Sequence, residues 1–304
     1  MPFEIKELTL ASTDNIHILV GKVYIPTGEI KGLFHIIHGM TEHIERYDRF
    51  MSALAQEGYL AFGYDNLGHG KTARNDSELG FIAHTDRWKY LINDAFAFEN
   101  AVKKLYPDLP IIIFGHSMGS FIARLCVSNY PQMYHKAIFC GTAGKNPLSP
   151  FGLLLTSILK ALKGEKYISD LILNMAFGAY NKKFDGDTNY EWLTKDRSII
   201  EKYSADKFCT FKFTVSAMHD LIKLISESNK LNAFDLIPKD LPIFLISGDT
   251  DPVGNYGKGV KWVYDKLVSL NIPVKMKLYK DCRHEILNDS CYQETLIDIL
   301  NFSN

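Results

Sequence analysis

A chain of 304 residues, 46% of them hydrophobic, can bury a large core as one sizeable domain carrying an insertion or as two smaller domains. Thirty-four basic residues against thirty-five acidic ones leave a net charge of −1, so no overall field favours nucleic acid or an anionic membrane. Five cysteines without paired spacing speak for reduced thiols, and with no signal-peptide core and no apolar run of membrane-spanning length the expectation is a soluble cytoplasmic protein.

Along the chain, short β-rich segments alternate with helical patterns. Strands are expected at 16–25, 32–38, 59–65, 110–115, 136–141, 242–248 and 274–279. Several are apolar on consecutive positions, as suits strands covered on both faces of a parallel sheet. The stretches 46–58 and 86–106 have helical spacing, the second setting Trp88, Leu91, Ile92, Ala95, Phe98 and Val102 on one side. This is the pattern of an α/β chain with helices as crossovers. The alternation stops between about 144 and 212, where no strand is expected. Without a repeat or a Pro/Gly/Ser linker, that stretch reads as a helical cap docked on the parent sheet. The chain then divides into a core of 1–143 and 213–304 and a cap of 144–212.

The stretch "IIIFGHSMGS" (111–120) runs a buried strand into a serine flanked by glycines. Gly115-His116-Ser117-Met118-Gly119 fits the G-x-S-x-G nucleophile elbow, followed by helical spacing in "SFIARLCVSNY". A serine hydroxyl is a poor nucleophile at neutral pH and needs a histidine to take its proton and a carboxylate to orient that histidine. With the order serine, acid, base, the partners must follow the last two strands. Asp251, in "DTDPVG", is the expected acid, since the next residue is a stiffening proline; Asp249 is assigned to the turn through an Asx-type bond. His284, in "KDCRHEI", is the histidine that follows the last strand and is the expected base. The backbone N–H groups of Met118 and of Met40, in "HIIHGMTEH", are the expected oxyanion donors.

His35, His38 and His43 lack the i, i+4 spacing of a metal pair, and no cysteine or carboxylate spacing completes a set, so neither metal nor cofactor is expected. The glycines of "DNLGHGKT" (65–72) read as a tight loop with His69 bonded locally rather than as a phosphate cradle.

"HGMTEHIERY", "GYDNLGHGKT", "GHSMGS", "SGDTDPVG" and "CRHEILND" together resemble the α/β-hydrolase superfamily, and within it the monoacylglycerol lipase and lysophospholipase group, sometimes classed with serine aminopeptidases. The likeness spans nearly the whole chain. It implies a mostly parallel sheet flanked by helices with an inserted cap, and Ser117, Asp251 and His284 as the catalytic triad. Where the family often has a small residue this chain has Met40, which narrows the pocket without affecting its backbone donor.

In "FGLLLTSILKALKG" the apolar Phe151, Leu154, Leu155, Ile158, Leu159 and Leu162 share a face opposite Thr156, Lys160 and Lys163, and Leu171, Ile172, Met175, Ala176 and Phe177 repeat the bias. Two roles fit these faces, covering the sheet or meeting lipid. Gly39, His116, Leu154, Ile158, Leu171 and Val253 are the candidate substrate contacts. The expected substrate is a small acyl ester of the monoacylglycerol or lysophospholipid kind, with transient contact between the cap and a lipid surface. The alternatives are a short-chain esterase, a serine aminopeptidase, or a non-catalytic receptor on the same fold.

Overall fold

The structure, a computed structural model, describes residues 2–84 and 88–304. Eight strands form one sheet: β1 (Phe3–Ala11), β2 (Ile18–Pro26), β3 (Gly32–Ile37), β4 (Tyr59–Tyr64), β5 (Ile111–His116), β6 (Lys136–Cys140), β7 (Ile243–Gly248) and β8 (Val274–Tyr279). They lie in the order β1-β2-β4-β3-β5-β6-β7-β8. The pairs β1–β2 and β2–β4 are antiparallel, and every pair from β4–β3 to β7–β8 is parallel. This is the α/β-hydrolase architecture. All seven strands expected from the sequence are present within a residue or two of their anticipated ends.

The apolar runs are buried on both faces because side chains alternate between two helical layers. Leu33, Ile37, Ile111, Ile113 and Phe139 join the core under α2 (Trp88–Leu105), α3 (Met118–Asn129), α7 (Val215–Ser228) and α9 (Lys258–Ser269). Phe34, Ile36, Ile112, Phe114 and Ile138 pack on the other side with α1 (Asp48–Gln56) and α10 (Tyr292–Ser303). Residues 86 and 87 of the expected helix 86–106 lie outside the described residues. From Trp88 onward the anticipated face is the buried one, with Leu91, Ile92, Ala95, Phe98 and Val102 all inside.

Strand β1 went unanticipated. It pairs along its full length with β2, yet most of its residues are exposed, and Glu7 breaks the apolar–polar alternation that Phe3 to Lys6 begin.

Between β6 and β7 the chain holds α4 (Ser149–Lys163), α5 (Asp170–Phe177), α6 (Arg197–Ala205), α7 and α8 (Leu231–Asp235), with no strand among the described residues there. Helix α7 is largely buried against α3, and α4 lies on α7. The face of α4 is turned the opposite way from one that would cover the sheet. Phe151, Leu154, Ile158 and Leu162 are exposed, while Thr156 is fully buried. Thr156 tolerates burial because its hydroxyl donates to the Gly152 carbonyl at 2.8 Å and lies 2.9 Å from His219 Nδ1 on α7. No helix among the described residues is long and apolar enough to cross a membrane.

Candidate active site

Strand β5 passes into α3 through Ser117, whose φ of 52° and ψ of −121° place a non-glycine residue in a strained region. The surroundings hold it there. Its N–H donates to the Cys140 carbonyl at 2.9 Å, and its own carbonyl accepts from the Ser120 hydroxyl at 2.6 Å. A Cβ on Gly115 would collide with the Gly119 carbonyl, and one on Gly119 with the Ile37 carbonyl of β3. Both obstacles are backbone and cannot yield as a flexible side chain would. Gly119→Ala is therefore expected to destabilise the fold by about 1–3 kcal/mol, the range for overpacking a close-packed site, as read by denaturant unfolding. Wild-type stability in that variant would show that α3 can shift away from β3.

Beyond β7, Asp251 is completely buried. Its Oδ1 accepts from the Val253 N–H at 2.8 Å, and its Oδ2 accepts from the Ser247 hydroxyl at 3.0 Å and meets His284 Nδ1 at 2.9 Å. Asp249 makes no Asx bond: its Oδ1 is buried without a hydrogen-bond partner among the described residues. The turn is held instead by the Asp249 N–H on the Tyr279 carbonyl and by the Thr250 hydroxyl on the Cys282 carbonyl, at 3.0 and 2.6 Å. The His284 loop, which follows β8, is gripped by the inserted segment. Glu285 N–H donates to the Leu193 carbonyl at 2.7 Å, His284 N–H to the Trp192 carbonyl at 3.3 Å, and the Trp192 and His284 rings lie 5.2 Å apart.

Ser117, His284, Met40 and Met118 line one cavity of about 910 Å³. His116 and Val253 also lie on its wall, whereas Gly39 sits behind it and donates its N–H to Glu42 Oε1 at 2.5 Å. Leu154, Ile158 and Leu171 are not on the wall. They are 60%, 46% and 60% exposed, because α4 and α5 direct those positions outward, and Leu173, Ala176 and Phe177 line the cavity in their place.

In the wall of the cavity lies a buried charge cluster that the sequence reading missed. Glu42 Oε1 accepts from Gly39 N–H, from the Tyr47 hydroxyl at 3.0 Å and from His116 Nδ1 at 2.9 Å, and its Oε2 accepts from Arg46 at 3.1 Å. Arg46 also donates both Nη groups to Glu285, at 2.7 and 2.6 Å. Burial would raise the Glu42 carboxyl, but the charges of His116 and Arg46 overcome it and hold the group far below the usual carboxylate range. Burial works against a protonated His116 too, and Glu42 again prevails, leaving the imidazole above its ordinary value. These residues stand in "TEHIERY", "GHSMG" and "RHEI", but four charges separated by up to 243 positions have no periodic signature.

The other histidines have local tasks. His38 Nδ1 donates to the Gly39 carbonyl at 2.8 Å while its Nε2 accepts from Asn66 N–H at 2.9 Å, which fixes a neutral tautomer. His69 bonds the Leu67 carbonyl at 2.9 Å, and burial lowers it to about 3. His35 meets buried Glu99 at 2.7 Å.

A strained serine, a buried Asp–His pair and a mostly parallel eight-stranded sheet agree with one result of comparison with known families. The model of the Hydrolase_4 family, described as serine aminopeptidase, S33, matches residues 28–291. The chain belongs to this family. Among curated relatives of this Hydrolase_4 chain, the monoglyceride lipase of Rattus norvegicus is 26% identical over 231 residues, covering 74% of this chain and 67% of its own. A monoglyceride lipase homolog of Monkeypox virus is 25% identical and covers 90% and 88%. Among solved structures, a thermostable carboxyl esterase from Bacillus coagulans in complex with glycerol superposes with a TM-score of 0.92 at 28% identity, covering 99% of this chain and 98% of that one.

Proposed function

We propose that the protein is a serine hydrolase of monoacylglycerol-like or lysophospholipid-like esters, working through an acyl-enzyme at Ser117. The observation that carries this is a single cavity presenting both the strained Ser117 and a His284 whose Nδ1 is held by buried Asp251 at 2.9 Å. With Nδ1 so engaged, His284 keeps Nε2 for proton transfer. Nε2 takes the Ser117 proton as the oxygen attacks the acyl carbonyl, then returns it to the departing alcohol. Water repeats the cycle to free the acid. The Met40 and Met118 N–H groups hold the oxyanion in both halves. Residues 144–212 act as the cap over this site.

The wall formed by Leu173, Ala176, Phe177, Phe211, Leu221 and Ile225 suits an acyl chain, and Asn146 and Asn255 suit a polyol or head group. The similar carboxyl esterase from Bacillus coagulans was solved in complex with glycerol, a polyol of the kind this reading expects. Burial of each methylene contributes on the order of 0.8 kcal/mol, so kcat/KM on p-nitrophenyl esters should climb by up to about fourfold per carbon until the cavity is filled. A profile that peaks at acetate makes the protein a short-chain esterase. Greater activity on an aminoacyl anilide replaces the lipid reading with the aminopeptidase one.

The exposed Phe151, Leu154, Ile158 and Leu162, with Leu171 and Met175 nearby in sequence, face outward from α4 and α5. This face seats on a lipid surface, its apolar groups entering the acyl boundary. Leu162→Glu should abolish cosedimentation with phosphatidylcholine–phosphatidylserine vesicles. Undiminished binding would remove the helix from the contact. Five buried, free cysteines support a reducing compartment such as the cytoplasm.

A further inference from the structure

Along the chain, nothing near His43 completes a metal-ligand set. The fold supplies what sequence spacing lacks. His43 Nε2 meets Asp206 Oδ2 at 2.9 Å, and the Cys209 thiol joins them so that the three ligand atoms lie within 4.8 Å of one another. His43 and Cys209 are 7% and 2% exposed. Their supports are stiff. Asp206 Oδ1 accepts from Phe208 N–H at 2.8 Å, which directs Oδ2 toward the histidine, and the Asp206 carbonyl accepts from Cys209 N–H at 3.0 Å, which fixes the thiol one turn on. The His43 ring packs on Phe208 at 5.7 Å.

We propose that His43, Asp206 and Cys209 form a zinc-binding site in the wall of the substrate cavity. One nitrogen, one oxygen and one sulfur are the donor types that Zn²⁺ accepts in tetrahedral geometry, and three protein ligands leave a fourth position for water. With Zn–S near about 2.3 Å and Zn–N and Zn–O near about 2.1 Å, tetrahedral ligand atoms stand about 3.3–3.6 Å apart. The His43–Asp206 edge, now 2.9 Å, opens by under about 1 Å, and the sulfur already lies within 4.8 Å of the other two ligand atoms. Of the three ligands, Cys209 is on the cavity wall. The charge of Arg46 is balanced by Glu42 and Glu285, at 3.1 and 2.6 Å. On binding, the metal–sulfur bond replaces the S–H bond and releases that proton to water, while the imidazole coordinates through Nε2 as its Nδ1–H tautomer. The ion then joins the loop after β3 to the segment 206–211, two walls of the same cavity.

The test is cobalt substitution. Chelator-treated full-length protein titrated with Co²⁺ is expected to develop the thiolate-to-cobalt charge-transfer band of a tetrahedral site, saturating at a single equivalent and displaced by Zn²⁺. Cys209→Ser should lose the band, and Asp206→Asn should weaken binding at least tenfold. Zn²⁺ should raise the thermal midpoint of the wild type and not of Cys209→Ser. A band that survives Cys209→Ser and disappears in Cys282→Ser would place the metal elsewhere and overturn the assignment. So would the absence of any thiolate band in the wild type. Should Cys209→Ser fail to fold, His43→Gln read by the same band keeps the question decidable.

Discussion

Ser117→Ala is expected to fold as the wild type does and to lose on the order of 10⁶-fold in kcat, the scale seen when a triad nucleophile is removed from a serine hydrolase. Stability should hardly change, because alanine bears the same strain at a φ of 52° and the supporting backbone bonds at 117 and 120 do not use the serine oxygen. The residual rate should match what oxyanion donors and binding alone provide, about 10³–10⁴ over water. A fluorophosphonate probe should label the wild type and not the variant. Ester turnover within tenfold of wild type in a folded Ser117→Ala would refute the nucleophile assignment; an unlabelled wild type that binds lipid would instead indicate a receptor.

The second large effect falls on stability. All four groups bonded to Glu42 are donors: Gly39 N–H, the Tyr47 hydroxyl, His116 Nδ1 and Arg46. Glutamine has the same shape but one oxygen and one NH₂, so at least one donor must face another, and Arg46 keeps only Glu285 as its counter-charge. Removing one member of a buried charge pair costs about 3–5 kcal/mol, and Glu42→Gln should lose that much in denaturant unfolding. The loss should depend on pH. His116, raised in the folded chain, contributes fully below its ordinary value of 6.5 and ceases to as pH climbs through the raised value. Glu42, depressed in the folded chain, contributes above its ordinary 4.5 and fades as pH falls below it. The stability gap between wild type and Glu42→Gln should therefore be widest from about pH 4.5 to 6.5 and shrink toward alkaline pH. A gap that stays constant from pH 5 to about pH 10 would mean that the His116 charge contributes nothing. Because Glu42 also ties down Gly39, kcat should fall with KM little changed, as loss of oxyanion positioning alone would produce.

The sheet was legible because Ile111 to Phe114 and Ile243 to Ile246 are apolar on successive positions, which only a strand covered on both faces requires. The elbow was legible because glycines bracket Ser117 at the end of such a strand. Strand β1 was not, since an edge strand open to solvent is under no pressure to alternate. The orientation of α4 was hidden for a related reason: its apolar arc is obvious, but which arc meets α7 is decided by Thr156 reaching His219, a partner 63 residues away. The Glu42 cluster was unreadable because ion pairs are set by folded distance, and Arg46 and Glu285 are neighbours only after β3 and β8 have taken their places.

The backbone bonds from His284 and Glu285 to Trp192 and Leu193, reinforced by Arg283 donating to the carbonyls of Glu191 and Thr194, have a mechanical consequence. Residues 191–194 cannot swing away without dragging the imidazole off its carboxylate. They are part of the stator. Any movement of the insertion that keeps the imidazole seated has to leave residues 191–194 in place.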